Sequence, residues 1–255
     1  VTMQVQGSVG LVTGGGGGLG AGVVRMLVEN GGKAVVLDLD RSPGADLAAE
    51  LGSDVLFIPT DVSDTDQVAA AVALATETFG RIDLCVNAAG ISPAHRVVDR
   101  RGTMFPLDTF RTTLDVNLTG SFDVIRHVAK AMSENDPRTD GERGLIVNVA
   151  SAAGLEGQTG QAAYTASKGA ILALTLQLAR DLSVWGIRVM SVAPGIMDTP
   201  MLAGVDEARR AALVDLHVFP KRLGTPADFA ALVKTFMEVT LLNGEYVRLD
   251  AATRL

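Results

Sequence analysis

The sequence predicts an α/β protein in which a doubly wound sheet of seven parallel strands is covered by helices on both faces. Three observations predict it. Short β-branched and aliphatic runs alternate with longer stretches of helical period, the mark of successive strand–helix–strand units. Most of the short runs are apolar throughout, as strands buried on both faces must be. The first run leads directly into a glycine-rich segment and then a helical stretch.

The strands are expected at residues 8–12, 34–37, 55–58, 84–86, 145–149, 187–192 and 246–249. Helices are expected at 20–29, 66–79, 110–132, 163–183 and 226–240, each long enough to cross back over the sheet. At 255 residues the chain fits a single dinucleotide-binding and catalytic domain over 1–255. No internal repeat or low-complexity linker divides it. Segments 92–107, 134–143 and 201–219 exceed what a bare sheet needs, and such loops carry specificity.

Hydrophobic residues make up 47% of the chain and charged residues 20%, enough for a large core and too apolar for disorder. The net charge of −7 offers no basic field for nucleic acid or an anionic membrane. The longest apolar stretch, 169–179, is broken by Thr175 and Gln177 and is too short to span a bilayer. Residues 1–10 lack a secretion signal, and Val1 suggests a trimmed start that would hide any transit peptide. Cys85 is the only cysteine, so no internal disulfide can form. A reducing compartment is expected: the cytoplasm, or the mitochondrial matrix in a eukaryotic cell.

The first strand runs into Thr13-Gly14-Gly15-Gly16-Gly17-Gly18-Leu19-Gly20 and then a helix, the Rossmann-type arrangement for holding a dinucleotide. Glycines let the backbone turn tightly and approach a pyrophosphate, whose charge meets unpaired N–H groups and the positive helix end. Two registers fit: Gly15, Gly17 and Gly20, or Gly14, Gly18 and Gly20. Asp38 ends the second strand, where a carboxylate accepts hydrogen bonds from ribose hydroxyls and repels a 2′-phosphate. NAD is therefore expected over NADP, although Arg41 could partly neutralise a phosphate there.

Tyr164 and Lys168 stand four apart on one helix and so share a face. A phenol with a pKa of about 10 is a poor base near neutrality unless a positive charge stabilises the phenolate. Lys168 would supply it, and Tyr164 would move the proton while a nicotinamide moves the hydride. Such a pair also arises by chance as an exposed helix pair, so its neighbours matter. Ser151 ends the fifth strand at the carboxyl edge of the sheet, where its hydroxyl could hold the substrate oxygen. Asn117 sits inside a helix, a mediocre position for asparagine unless its side chain is used, and a water there could relay protons to Lys168. Asn87-Ala88-Ala89-Gly90 reads either as a close approach for the cofactor or as a tight turn. No metal ligand set is expected.

With these residues in order, the chain resembles the short-chain dehydrogenase/reductase family over nearly its whole length. The resemblance rests on the glycine segment, Asp61-Val62, Asn87 to Gly90, Asn117, Ser151 with Tyr164 and Lys168, and Pro194-Gly195 followed by Thr199. It implies the register Gly14, Gly18, Gly20, with Leu19 also at the cofactor. It further implies Asp61 and Val62 at adenine, Asn87, Ala88, Gly90, Pro194 and Gly195 lining the cofactor, Ile196 and Thr199 at the carboxamide, and Lys168 at the nicotinamide ribose.

Within the family the chain is similar to the short-chain 3-hydroxyacyl-CoA dehydrogenases that also act on hydroxysteroids. The likeness lies in Glu156 to Tyr164, Phe219 to Gly224, Leu242 to Glu245, and Arg248-Leu249-Asp250. It implies interconversion of 3-hydroxyacyl-CoA and 3-ketoacyl-CoA, with Gln158 beside Ser151 and Tyr164 in the substrate pocket, and a homotetramer formed through the helices of Asn117 and Tyr164. At Ala251 these relatives have glycine, so a turn needing positive φ would be strained. Leu202, Val205, Leu213 and Leu216 give the 200–219 insertion an apolar face, either a moving lid or a helix packed permanently on the core. Arg96, Arg100 and Arg101 could meet CoA phosphates or lie solvated in a loop. The alternatives are a 3-ketoacyl carrier-protein reductase, which Asp38 disfavours, a polyol or sugar dehydrogenase, which the apolar lid disfavours, and a non-catalytic cofactor sensor.

Overall fold

A computed structural model describes residues 2–254 of the chain. The elements run β1 (Val9–Thr13), α1 (Gly18–Glu29), β2 (Lys33–Asp38), α2 (Gly44–Leu51), β3 (Val55–Pro59), α3 (Thr65–Phe79), β4 (Leu84–Asn87), α4 (Leu107–Leu114) and α5 (Ser121–Ser133). They continue with β5 (Gly144–Val149), α6 (Ala153–Glu156), α7 (Ala162–Leu182), β6 (Ile187–Pro194), α8 (Glu207–Asp215), α9 (Pro226–Glu238) and β7 (Tyr246–Leu249).

The seven strands pair in the order β3-β2-β1-β4-β5-β6-β7, every pair parallel. The chain winds outward from β1 to β3, then crosses back to β4 and winds the other way. That reversal opens a crevice at the carboxyl ends of β1 and β4, where Thr13 pairs with Asn87.

Alternate strand residues point to opposite faces, and both faces are covered. Val12 and Val36 enter one core with Val24 and Leu27 of α1 and Phe229, Val233 and Phe236 of α9. Leu11, Val35 and Leu37 enter the other with Val72 and Ala75 of α3, Val124 and Val128 of α5, and Leu178 of α7. Cys85 is wholly buried in this second core, where desolvation pushes its thiol up to about 12 and keeps it inert.

The elements differ from expectation in several places. Helix α2 is new: Pro43 and Gly44 at its start hide an alanine-rich stretch whose buried anchor is Leu47. The expected helix over 110–132 is α4 and α5 joined by a π-helical turn, Asp115–Gly120. Strand β1 includes Thr13, and β6 runs on to Pro194, so both reach farther into the crevice. The C-terminal turn takes the anticipated positive φ at Ala251 (48°), and Ala252 (61°) shares it. There Asp250 holds the strain, its Oδ1 accepting the Ala252 N–H at 3.1 Å and its Oδ2 the Arg248 Nε–H at 2.6 Å.

Candidate active site

Most of the residues the sequence singles out for chemistry converge on one cavity of about 890 Å³ at the carboxyl edge of the sheet. One wall is the turn between β1 and α1. Gly14 and Gly18 take positive φ, and a methyl on Gly20 would run into the Gly14 carbonyl oxygen. Gly15 and Gly17 have no positive φ, and nothing lies within 4 Å of where a Gly17 side chain would begin. The backbone therefore takes the Gly14, Gly18, Gly20 register. Gly17 precedes helix α1 as its N-cap, with no side-chain cap and no acidic residue in the first turn, leaving N–H groups and the positive dipole end for an anion.

Asp38 closes the far end of this wall. Its Oδ2 accepts the Gly16 N–H at 2.9 Å and its Oδ1 the Leu39 N–H at 2.8 Å. A carboxylate has about four lone-pair sites, so two remain for a diol. Arg41 lines the same end, and Thr60, Asp61 and Val62 line its side. The glycine cradle, the uncapped helix and this carboxylate fit an adenine dinucleotide.

The floor comes from β4, β5 and α7. Tyr164 is half-buried and Lys168 buried at 4% exposure, one turn apart on α7. Lys168 Nζ lies 5.7 Å from the centre of the Tyr164 ring and donates to the Val149 carbonyl at 2.7 Å. Gly154 of α6 packs against the Lys168 backbone, where a methyl would meet its carbonyl carbon at 2.8 Å. This close crossing brings Ser151 beside Tyr164. Burial pushes the Tyr164 phenol up from its ordinary value, while a hydrogen bond with Ser151 pulls it down. Burial also lowers Lys168 to about 8. The net effect leaves the Tyr164 phenol above its ordinary value. Desolvation outweighs the Ser151 hydrogen bond and holds the phenol as a proton donor, the form that carbonyl reduction uses.

Two expected residues stand behind the wall. Asn117 is fully buried in the π-helical turn and clamps Ile91, its Oδ1 accepting the Ile91 N–H at 2.8 Å and its Nδ2 donating to the Ile91 carbonyl at 2.9 Å. Its Nδ2 also reaches Ser167 Oγ at 3.1 Å. Asn87 is buried and donates to Asn148 Oδ1 at 2.9 Å across β4 and β5. Neither belongs to the cavity wall, whereas Ala88, Ala89, Gly90 and Ile91 do. An asparagine that ties down backbone frees its neighbours to face the ligand, and sequence alone does not separate the two uses.

The other wall is the insertion over 200–219. Leu202, Val205, Leu213 and Leu216 line it as expected, joined by Met201 and Arg209. Gln158 and Gln161 lie at the edge near Ser92, whose segment is tied there by the His95 N–H to the Gly160 carbonyl at 2.8 Å. Pro194, Gly195, Ile196 and Thr199 line the cavity as expected. Arg96, Arg100 and Arg101 are exposed and outside the lining, consistent with a solvated loop. The sequence reading missed Thr60, Ile91, Gln161 and Arg209. Position one residue past β3 could have flagged Thr60, position just after the Asn87 to Gly90 segment could have flagged Ile91, and the stripe spacing of 202, 205, 209, 213 and 216 could have flagged Arg209.

Residues 8–210 match the model of the short chain dehydrogenase family. The 3-hydroxyacyl-CoA dehydrogenase type-2 of Homo sapiens is 47% identical over 99% of this chain and 97% of its own. A 3-alpha-(or 20-beta)-hydroxysteroid dehydrogenase of Mycobacterium tuberculosis is 40% identical over 87% of this chain and 78% of its own. The crystal structure of a 3-hydroxyacyl-CoA dehydrogenase type-2 from Mycobacterium avium superposes with a TM-score of 0.93 at 42% identity, covering 98% of this chain and 96% of that one.

Proposed function

The chain belongs to the short-chain dehydrogenase family and is an oxidoreductase acting on CH–OH groups, and from that premise we propose that it interconverts 3-hydroxyacyl-CoA and 3-ketoacyl-CoA with NAD. The single observation carrying the chemistry is that Ser151, Tyr164 and Lys168 share one cavity with the uncapped glycine turn. When bound, the nicotinamide supplies or accepts the hydride at the carbinol carbon. Ser151 holds the substrate oxygen. Tyr164 donates its proton to that oxygen in reduction and takes it back in oxidation. Lys168 is charged below a pH of about 8 and steadies the phenolate left behind.

Asp38 supports NAD, because its carboxylate would sit against a 2′-phosphate. Gly14, Gly18, Leu19, Gly20, Asp61, Val62, Ala88, Gly90, Pro194, Gly195, Ile196 and Thr199 would line the cofactor, and Gln158 the substrate. Asn117 would keep Ile91 in place and with it the path to Lys168, while Asn87 would support the same wall from behind. The apolar stripe of the 200–219 segment and the names of the similar proteins support an acyl thioester. A hydroxysteroid is the second reading, favoured by the Mycobacterium tuberculosis relative.

A homotetramer is also proposed, supported by the exposed Phe122 on α5 and Leu176 on α7, the two helices expected at the interface. Sedimentation checks it. No helix among the described residues is long and apolar enough to cross a membrane. The single buried cysteine suits a reducing compartment, the cytoplasm or a mitochondrial matrix.

NADH and NADPH oxidation assayed in parallel with acetoacetyl-CoA, longer ketoacyl-CoAs, an acyl-carrier-protein thioester and a ketosteroid tests the reading. The expected result is NADH with a CoA thioester. Preference for the carrier-protein substrate or for NADPH would contradict it.

A further inference from the structure

The cavity wall contains three cations, Arg41, Lys168 and Arg209. Two have assigned surroundings. Arg41 stands with Asp38 at the adenosine end, and Lys168 is buried at the floor with its ammonium on the Val149 carbonyl. Arg209 is different. It lies in α8 on the inner stripe Leu202, Val205, Arg209, Leu213, Leu216, where each of the other four is aliphatic.

Adjacent arginines here are used differently. The Arg210 guanidinium bridges Asp198 at 2.5 Å. Among the described residues no carboxylate forms an ion pair with the Arg209 guanidinium, and the Asp206 side chain that caps α8 takes only the Arg209 backbone N–H, at 2.8 Å. Arg209 is exposed yet part of the lining, so its charge is open both to solvent and to the cavity.

On a chain with a net charge of −7, a highly anionic ligand is repelled overall and must be met by local cations. A guanidinium offers a planar fork that matches phosphate oxygens two at a time. We propose that Arg209 is a specificity-determining residue that binds a phosphate of the coenzyme A portion of the substrate, while the acyl chain lies along the aliphatic residues of the same stripe. This rests on the acyl-CoA reading above. The cofactor pyrophosphate is the other phosphate near the cavity, but the segment facing Gly18 is Thr199 and Pro200, a full loop before α8 begins.

The test compares wild type with Arg209→Gln and Arg209→Lys on two substrates, acetoacetyl-CoA and the S-acetoacetyl thioester of N-acetylcysteamine, which carries no phosphate. Direct NADH titration by fluorescence is the third measurement. Arg209→Gln is expected to raise KM for acetoacetyl-CoA by about tenfold with kcat little changed, and Arg209→Lys by less. The truncated thioester and NADH affinity should be unaffected.

Equal losses on both thioesters would overturn the proposal by showing that Arg209 acts through the fold of the lid. A raised NADH Kd would overturn it by assigning the phosphate to the cofactor. An unchanged KM for acetoacetyl-CoA would overturn it outright while leaving the acyl-CoA reading intact. Failure of the wild type to reduce acetoacetyl-CoA would instead refute the acyl-CoA reading and this inference with it.

Discussion

The wall built by β1, α1 and β2 and the wall built by the 200–219 segment face the same cavity but hold it by different means. The first is set by backbone: positive φ at Gly14 and Gly18, a Gly20 that admits no side chain, and N–H groups without a cap. The second is set by side chains on a short helix, an aliphatic stripe with one arginine. A backbone wall can bind one shape of ligand and tolerates almost no substitution. A side-chain wall can change its ligand by changing residues while the fold persists.

The largest effect should come from the backbone wall. Gly20→Ala drives a methyl into the Gly14 carbonyl, and overpacking of about 1–3 kcal/mol corresponds to roughly fivefold to 150-fold weaker NADH binding. A fluorescence titration checks it. An equal loss from Ala at Gly17, where a methyl meets nothing, would erase the distinction between register and mere glycine content.

The floor between the walls should show itself in pH. Burial disfavours the charged ammonium, so Lys168 loses its proton near 8 rather than near its ordinary 10.5. Ketone reduction should be flat below that point and fall above it, by up to about tenfold per pH unit. A rate that climbs through pH 8 would contradict the assigned roles.

Asp38→Ser should shift the NADPH-to-NADH preference by about tenfold, because Arg41 remains at that end of the cavity when the carboxylate is gone. Ratios of kcat/KM for the two cofactors measure it. No shift would mean that Asp38 serves only the Gly16 and Leu39 amides.

The smallest effect concerns how the lid wall is anchored. The Ala251 carbonyl accepts the Val218 N–H at 3.0 Å, so the strained C-terminal turn pins the end of the lid segment. Ala251→Gly should stabilise the protein by up to about 1 kcal/mol, raising Tm by about 2–4 °C. A lower Tm would show that the turn gains more from the alanine than it loses to its φ.

The same contrast explains what could be read without coordinates. The strands were legible because burial on both faces writes them as apolar runs, and β7 has the expected limits, Tyr246–Leu249. The glycine turn, Asp38 and the Tyr164–Lys168 pair were legible because their chemistry demands particular residue types at fixed spacing. Helix α2 was not, since three alanines among eight residues and a Pro-Gly start leave little periodicity. Nor was the π-helical turn that aims Asn117 at Ile91, because a one-residue change in helical winding leaves no mark in composition. Arg209 was visible as a residue but not as a wall, since only the path of the 200–219 segment turns that stripe inward.

Both walls matter only if a proton moves between them, and Tyr164→Phe tests that most directly. The phenylalanine keeps the ring and removes the hydroxyl that hydrogen-bonds Ser151. Expected is a fall in kcat of at least about 10²-fold with NADH affinity unchanged. Turnover at the wild-type rate in this variant would contradict the assignment of Tyr164 as the acid and base.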